Sequence, residues 1–284
     1  MERRRYGKTN VELSVIGFGG ILVMNESQES ANRIVSEAIE RGINYFDVAP
    51  SYGNAEERLG PALKPYRSSV FLACKTAKRA KKEAWEELHQ SLKRLCTDHL
   101  DLYQLHGVTT LEEVKQIFGE GGAIEALVEA REQGIVKYLG FSAHSEEAAL
   151  ALLDLFNFDS VLFPINWVCW HQGDFGPRVV KKAAEKNTAI LAIKTLAKRR
   201  LREGEEKKWP KCWYAPVESF QEALMAVRFT LSLPVTSAVT PGHIELLRWM
   251  CDAAEMFKPL SKDEEMEIAE RSKGLEPIFS SQHH

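Results

Sequence analysis

Short strand patterns alternate with helical patterns along the whole chain, and this alternation restricts the fold more than any other sequence feature. Runs rich in β-branched and aromatic residues predict strands, and apolar residues at helical spacing predict helices. We predict eight strands, at residues 14–17, 44–47, 70–75, 100–105, 136–141, 160–165, 189–194 and 236–239. The helical patterns cover residues 28–41, 56–63, 82–95, 123–133, 146–155, 176–186, 217–231 and 243–257. A length of 284 residues allows two ordinary domains or one α/β barrel. The unbroken order favours a single (β/α)8 TIM barrel.

The residues before the first predicted strand form a separate pattern. Turn residues from Gly7 to Asn10 separate two short runs within residues 3–13. We expect an N-terminal β-hairpin that closes the barrel floor, within one domain spanning residues 1–282. His283 and His284 are interpreted as the remnant of a purification tag.

Composition and charge exclude several classes of protein. The chain has 37 Lys and Arg against 40 Asp and Glu, a net charge of -3, so we expect neither a nucleic-acid nor a membrane partner. No apolar run approaches the ~20 residues of a membrane span, and the first ten residues carry no export signal. The five cysteines lack a C-x-x-C pair, which predicts reduced thiols, no metal site and a cytoplasmic location. We expect a monomer or a small homo-oligomer.

Four polar residues lie where the predicted strands end. Asp47 and Tyr52 follow the second strand, Lys75 ends the third, and His106 ends the fourth. The active sites of such barrels lie at the C-terminal ends of the strands, so we expect these side chains to converge. An Asp, Tyr or His at such a place is often structural. Lys75 is the more informative residue, because an ammonium facing a barrel interior needs a partner, and Asp47 is available.

This grouping suggests proton transfer to a carbonyl oxygen. A free tyrosine has a pKa near ~10. An ammonium ~4 Å away, at an effective dielectric of ~20, would stabilise the phenolate by roughly 4 kcal/mol, or about three pKa units. We therefore expect Lys75 to lower the pKa of Tyr52 toward ~7 at most, because Asp47 offsets part of the effect. Neutral His106 could donate a hydrogen bond to the same oxygen.

At this point the sequence resembles the aldo-keto reductases. The segment from Gly42 to Glu56 is similar to that family's signature, and the strand ending in Lys75 and residues 101–106 and 134–142 follow in the expected order. The resemblance implies a (β/α)8 fold, an extended nicotinamide cofactor and hydride transfer to a small aldehyde or ketone. It also implies a catalytic tetrad in which Tyr52 is the general acid, formed by Asp47, Tyr52, Lys75 and His106.

The resemblance further implies residues that bind the nicotinamide end of the cofactor. Gly19 and Gly20 match a glycine turn beside the ribose, and Ser142 matches the residue that holds the carboxamide. Asn166 matches the end of the strand-six motif and is included among the cofactor-binding residues. Lys194 stands where many members have a tyrosine that stacks on the nicotinamide. The positions that depart from the family pattern are Ala143, Leu162 and Lys194.

Two loops are candidates for binding the cofactor phosphates. The long loop that starts at Thr195 is rich in Lys and Arg, and the segment containing Thr240, Gly242 and His243 opens a helix. Both features favour an anion at this end of a barrel. The alternative for the basic loop is a solvated surface run, because its acidic residues partly neutralise it. NADP(H) is favoured over NAD(H) on the family resemblance alone.

Three functional hypotheses follow from these residues. The first is an NADP(H)-dependent oxidoreductase acting on a small carbonyl substrate. The second is a cofactor-binding sensor or regulatory barrel with little turnover, suggested by the departures from the family pattern. The third is a lyase or isomerase with Lys75 as a Schiff-base amine, which Asp47 disfavours by keeping that amine protonated.

The long loop also contains three aromatic residues, Trp209, Trp213 and Tyr214. We expect them either to form a lid over an apolar substrate or to anchor the loop itself.

Overall fold

Eight parallel strands close into a barrel in a computed structural model that describes residues 1–281. His283 and His284, the predicted tag remnant, lie outside the described residues. The barrel strands are β1 (Ile16–Gly19), β2 (Tyr45–Asp47), β3 (Phe71–Thr76), β4 (Leu100–Val108), β5 (Val136–Ala143), β6 (Ser160–Pro164), β7 (Ala189–Ile193) and β8 (Ser237–Val239). Neighbours in sequence pair in order, and β8 closes the ring by pairing Ala238 with Ile16 of β1. The predicted (β/α)8 fold is confirmed.

A helix follows each barrel strand. These helices are α1 (Gln28–Glu40), α2 (Ala55–Leu63), α3 (Lys81–Arg94), α4 (Ala123–Glu132), α5 (Glu146–Leu155), α6 (Pro177–Glu185), α7 (Phe220–Ser232) and α8 (Ile244–Glu255). Within residues 1–281, three further α-helices, which the sequence analysis does not predict, are Leu111–Phe118, Trp167–Gln172 and Lys262–Ser272.

Local sequence explains where several helices begin and end. Ser27, Ser145 and Ser219 are N-cap residues whose hydroxyls accept hydrogen bonds from backbone amides in the first turns of α1, α5 and α7. Gly42 follows α1 with φ +86° and Gly134 follows α4 with φ +73°, the left-handed conformation that glycine adopts readily. The chain can therefore leave each helix and enter the next strand within a few residues.

The N-terminal hairpin closes one end of the barrel, as predicted. Arg3–Arg5 pairs antiparallel with Glu12–Ser14. Tyr6 and Leu13 are fully buried among side chains of the barrel interior, including Tyr45. The Tyr6 hydroxyl donates a 2.7 Å hydrogen bond to Ser160 at the start of β6. Access to the barrel interior is therefore restricted to the C-terminal ends of the strands.

The long connection after β7 contains a small hairpin in which Ala197–Arg199 pairs with Ala215–Pro216. The intervening residues, 200–214, return toward the mouth of the barrel, where Lys211, Trp213 and Tyr214 line a cleft. Within the described residues, no helix is long and apolar enough to cross a membrane.

Candidate active site

Asp47 lies at the centre of a buried hydrogen-bond network at the end of β2. The Lys75 ammonium donates to Asp47 Oδ1 and, at 3.3 Å, to the carbonyl of Val48. The Tyr45 hydroxyl and the Gln104 amide donate to Asp47 Oδ2 at 3.1 and 2.9 Å. Lys75 is fully buried and Asp47 is 2% exposed. The buried carboxylate of Asp47 therefore accepts hydrogen bonds from three side chains inside the barrel.

Strand alternation brings these side chains together. Tyr45 precedes Asp47 by two residues on β2, and Gln104 precedes His106 by two residues on β4, so each pair projects to one face. The sequence analysis missed Tyr45 and Gln104. Their two-residue spacing from predicted site residues is the signal that could have identified them.

Tyr52 and His106 complete the group above the Asp47–Lys75 pair. The Lys75 ammonium lies 5.2 Å from the centroid of the Tyr52 ring. The Tyr52 and His106 rings meet edge to face with centroids 5.9 Å apart, and the Ser51 hydroxyl lies 3.5 Å from His106 Nδ1. All four residues predicted as catalytic line one cleft with a volume of about 280 Å³.

The electrostatics of this group correct one prediction. Desolvation raises the pKa of Tyr52 above its usual value, and the nearby Lys75 ammonium offsets only part of that effect. The expectation of a Tyr52 pKa near 7 is therefore wrong, because the barrel desolvates the phenolate more than Lys75 stabilises it. Burial opposes the charge on Lys75, but the Asp47 carboxylate outweighs it and raises the pKa of Lys75. Burial, and then the charge of Lys75, lowers the pKa of His106 to about 3, which keeps the imidazole neutral.

Five of the residues predicted to bind a cofactor line the same cleft: Gly19, Ser142, Lys194, Thr240 and Gly242. His243 lies in an adjoining groove of about 480 Å³, which shares Lys211 and Gly242 with the cleft. The groove continues to Arg33 and Arg248. Cleft and groove therefore form an extended path from the catalytic side chains to the N-terminus of α8.

Three other predicted residues are placed differently. Gly20 packs against Val48, where a Cβ would lie 2.8 Å from the Val48 Cβ. Asn166 caps the helix Trp167–Gln172 and accepts hydrogen bonds from two of its backbone amides. Thr195 is buried, and its hydroxyl has no hydrogen-bond partner within residues 1–281. Gly20 and Asn166 thus have structural roles that account for their residue types.

The residues along the cleft and groove fit a dinucleotide. The hydroxyls of Ser142 and Thr240 accept hydrogen bonds from the amides of Gly107 and Gly19 and keep their own hydrogens for donation. The N-cap residue of α8, His243, makes no side-chain cap, so the first amides of this helix are available to an anion. These groups satisfy the donor requirement of a pyrophosphate and a carboxamide.

Lys194 is the most unusual residue of the cleft. It directly follows β7 with φ +67°, a left-handed conformation that is uncommon for a residue with a side chain. Its ammonium lies 5.6 Å from the ring centroid of Trp213 and 5.3 Å from that of Tyr214. Desolvation lowers the pKa of Lys194 to about 8, with a further contribution from the charge of Lys75.

The basic loop is largely neutralised by carboxylates of the protein itself. Four of its cations are paired, in the ion pairs Lys198–Glu222, Arg199–Glu205, Arg200–Glu276 and Lys211–Glu26. The Lys211 ammonium also donates to the carbonyl of Leu22 at 2.8 Å, which ties the loop to the opposite side of the groove. The loop therefore presents far less free positive charge than its sequence suggests.

The aromatic residues of this loop divide between the two predicted roles. Trp213 and Tyr214 line the cleft, as a lid would. Trp209 is buried, and its ring lies 5.2 Å from that of His243 and 6.2 Å from that of Trp249, as an anchor would.

Comparison with known proteins agrees with the geometry. Residues 15–272 match the Aldo/keto reductase family. An uncharacterized oxidoreductase of Bacillus subtilis is 34% identical over 157 residues, covering 50% of this chain and 49% of that protein. The L-galactose dehydrogenase of Arabidopsis thaliana is 30% identical over 161 residues, covering 50% and 48%. The chain thus spans about half the length of the curated relatives it matches.

A solved aldo-keto reductase of Bacillus halodurans, in its holo form, is similar over 99% of both chains, with 25% identity and a TM-score of 0.78.

Proposed function

Because the chain belongs to the Aldo/keto reductase family, we propose that it reduces a small aldehyde or ketone with NADP(H), with Tyr52 as the general acid. The observation that carries this proposal is the charged Lys75 held under Tyr52 by a buried Asp47, beside a neutral His106. This arrangement supplies a proton donor, a cation that stabilises the resulting phenolate, and a neutral hydrogen-bond donor within one cleft.

In this proposal each catalytic side chain has a distinct task. The bound nicotinamide supplies the hydride. Tyr52 remains protonated at neutral pH, because its pKa is raised, and donates its proton to the substrate oxygen. Lys75 remains an ammonium and stabilises the phenolate left on Tyr52. Neutral His106 donates an N–H to the same oxygen and orients the carbonyl. Asp47 keeps Lys75 charged and in place.

The cofactor would lie along the cleft and groove. Ser142, Thr240, Gly242 and the free amides at the start of α8 would hold it, which supports an extended binding mode. Arg33 and Arg248 line the far end of the groove and support NADP(H) over NAD(H), since an arginine there could donate hydrogen bonds to a 2′-phosphate. We also propose that the protein is cytoplasmic and is a monomer or a small homo-oligomer.

The two other hypotheses receive less support. The matched relatives give no sign of a sensor role. A Schiff base on Lys75 needs a neutral amine, and Asp47 keeps that amine protonated.

The substitution Tyr52→Phe tests the mechanism. We expect kcat for NADPH-dependent aldehyde reduction to fall about 10²- to 10⁴-fold, because the proton donor is lost. The Kd for NADPH, followed by tryptophan fluorescence, should stay within about twofold, because Tyr52 is not assigned to cofactor binding. Carbonyl reduction at the wild-type rate by this variant would refute the assigned mechanism.

The substitution Arg248→Ala tests the cofactor preference. Arg248 forms a bidentate pair with Glu37, so part of its charge is already used. We expect the Kd for NADPH to rise about tenfold and that for NADH to stay unchanged, which corresponds to the loss of one charged contact. Equal changes in both Kd values would argue against a 2′-phosphate contact.

A further inference from the structure

The Lys194 ammonium is a cation without a counter-ion at the mouth of the barrel. Within residues 1–281, no carboxylate lies within 4.0 Å of it and no hydrogen bond from it is formed. Its neighbours are the rings of Trp213 and Tyr214, which attract a cation without neutralising it. An anion that binds beside this partly buried ammonium would supply the counter-charge that these neighbours do not provide.

The other charges of the cleft cancel. Lys75 is paired with Asp47, and Lys211 is paired with Glu26. The two histidines that line the cleft are neutral, because burial lowers the pKa of His106 to about 3 and that of His144 to about 4. Lys194 therefore gives the cleft a charge of about +1, which matches a carboxylate better than a phosphate monoester of about -2.

Lys194 shares the catalytic cleft with His106, the residue to which we assign the substrate oxygen. Burial lowers the pKa values of His106 and His144, and the charge of Lys194 is a lesser contribution to both. The pKa of His243, at the start of α8, is instead lowered by burial and by Lys211. His243 lines the adjoining groove and Lys194 lines the catalytic cleft, so the start of α8 and the Lys194 ammonium belong to different cavities.

An outer cavity of about 680 Å³ also opens on this side. It shares His144 and Trp213 with the catalytic cleft, and its walls include Phe175 and Phe279. Trp213 lies under the Lys194 ammonium, so Lys194 stands where the two cavities meet. A substrate that reached Tyr52 through the outer cavity would pass the Trp213 ring, over which the Lys194 ammonium lies.

We propose that Lys194 binds a carboxylate of the substrate, and that the substrates of this site are oxoacids, that is, aldehydes or ketones with a carboxylate group. The inference rests on the proposed carbonyl reduction. Lys194 acts as a specificity residue: it selects the acid, while Tyr52 and Lys75 carry out the proton transfer. The left-handed backbone at Lys194, closed by a 2.8 Å hydrogen bond from the amide of Ala197 to its carbonyl, fixes the direction of the side chain.

Matched pairs of carbonyl compounds test this proposal. The probes are glyoxylate against acetaldehyde, 4-oxobutanoate against butanal, and 4-carboxybenzaldehyde against benzaldehyde. For at least one pair we expect wild-type kcat/KM to be about tenfold or more higher for the acid, the size of one charged hydrogen bond. Equal values within every pair would overturn the inference and leave the proposed reductase activity standing.

Variants of Lys194 test whether this residue causes the preference for the acid. In Lys194→Met the kcat/KM for the acid should fall about 10- to 100-fold, with the neutral partner and the Kd for NADPH within about twofold. Lys194→Gly, which also removes the left-handed strain, should show the same selective loss. Lys194→Arg should retain much of the wild-type kcat/KM for the acid. Lys208→Met is the control, because Lys208 is an exposed lysine of the same loop, 5.5 Å from the ring centroid of Trp209. A weaker NADPH affinity in Lys194→Met would instead assign Lys194 to the cofactor and overturn the proposal.

A binding measurement separates the two proposals. Glutarate binding to the wild-type chain is measured by calorimetry, with and without NADPH present. If no carbonyl compound is reduced but glutarate binds and Lys194→Met abolishes that binding, the reductase proposal fails and the anion site stands. If reduction occurs but glutarate neither binds nor inhibits, and the acids show no advantage, the anion site is refuted alone.

Discussion

Two lysines follow barrel strands at the same cleft, and their pKa values move in opposite directions. Burial disfavours the charge of both residues, but Lys75 has the carboxylate of Asp47 beside it and its pKa rises. Lys194 has two aromatic rings beside it and no carboxylate within 4.0 Å among residues 1–281, and burial lowers its pKa to about 8. The more deeply buried lysine is the one whose pKa is raised. The presence of a carboxylate, rather than the depth of burial, therefore decides whether the pKa of a buried lysine rises or falls.

The largest expected effect comes from removing the carboxylate beside Lys75, so that this lysine, like Lys194, has no counter-ion. Asp47→Asn leaves a fully buried amine without a counter-charge, so the pKa of Lys75 should fall and Tyr52 should lose its stabilising cation. We expect kcat for aldehyde reduction to fall about 10³-fold and the free energy of unfolding to fall by about 3 kcal/mol. Steady-state kinetics and urea denaturation measure both effects.

Asp98→Asn is the matched control for Asp47→Asn, because Asp98 is exposed and pairs only with His99 at the surface. Its kinetics and stability should equal those of the wild type. Wild-type stability in Asp47→Asn would show that the buried pair contributes less than its geometry implies.

The second prediction concerns stability and pH. Lys194 has a pKa of about 8 in the folded protein and an ordinary value of 10.5 when unfolded, so the unfolded chain binds more protons between these values. Lys194 therefore makes folding more favourable as the pH rises from 8 to 10.5. In Lys194→Met this gain is absent, so its stability advantage over the wild type should shrink by about 1–2 kcal/mol between pH 7 and pH 10.

Urea denaturation of both proteins at the two pH values measures this difference. Lys75 acts with the opposite sign, because its raised pKa stabilises the fold at lower pH, but it is common to both proteins and cancels. A stability difference that does not change with pH would place Lys194 in a more solvated environment.

The third prediction is the pH dependence of substrate recognition. Lys194 is charged below its pKa of about 8, so acid recognition is present below that pH and lost above it. At pH 9 about a tenth of Lys194 is protonated, and the KM for 4-oxobutanoate should rise about tenfold relative to pH 7 while that for butanal stays constant. Initial-rate measurements with both substrates at each pH provide the test.

The pKa values of five other groups of the cleft are shifted away from this range. The two histidines are already neutral, and burial raises the pKa values of Tyr52, Cys212 and Tyr214. A KM that rises equally for the neutral aldehyde would assign the titration to the catalytic residues instead.

The smallest effect is expected at Gln104, a positioning residue for Asp47. Gln104→Met removes one of three side-chain hydrogen bonds to the carboxylate, so kcat should fall about fivefold, with KM unchanged, which corresponds to about 1 kcal/mol. Gln104→Glu should instead lower the rate more strongly at high pH, where a second carboxylate repels Asp47. Gln116→Met, at an exposed position, is the control. An unchanged kcat in Gln104→Met would show that Tyr45 and Lys75 hold Asp47 without it.

Sequence predicts the parts of the molecule that depend on local pattern. The eight strands follow from periodicity, and the pairing of Lys75 with Asp47 follows from two residues at adjacent strand ends. The pKa of Tyr52 could not be predicted, because it depends on desolvation by side chains from several strands. The ion pairs of the basic loop were missed for a similar reason: Glu26 and Glu276 come from distant parts of the sequence.

The N-terminal hairpin also has a consequence for how the chain folds. Arg4 donates hydrogen bonds to the carbonyls of Leu231 and Val235, 227 and 231 residues away along the sequence. Likewise, the second edge of strand β1 is paired only when β8 is present. Contacts of such high sequence separation form slowly, since a long loop must close first. During synthesis the first strand therefore keeps one edge unpaired until the eighth strand has been made, and closure of the ring is the event that completes folding.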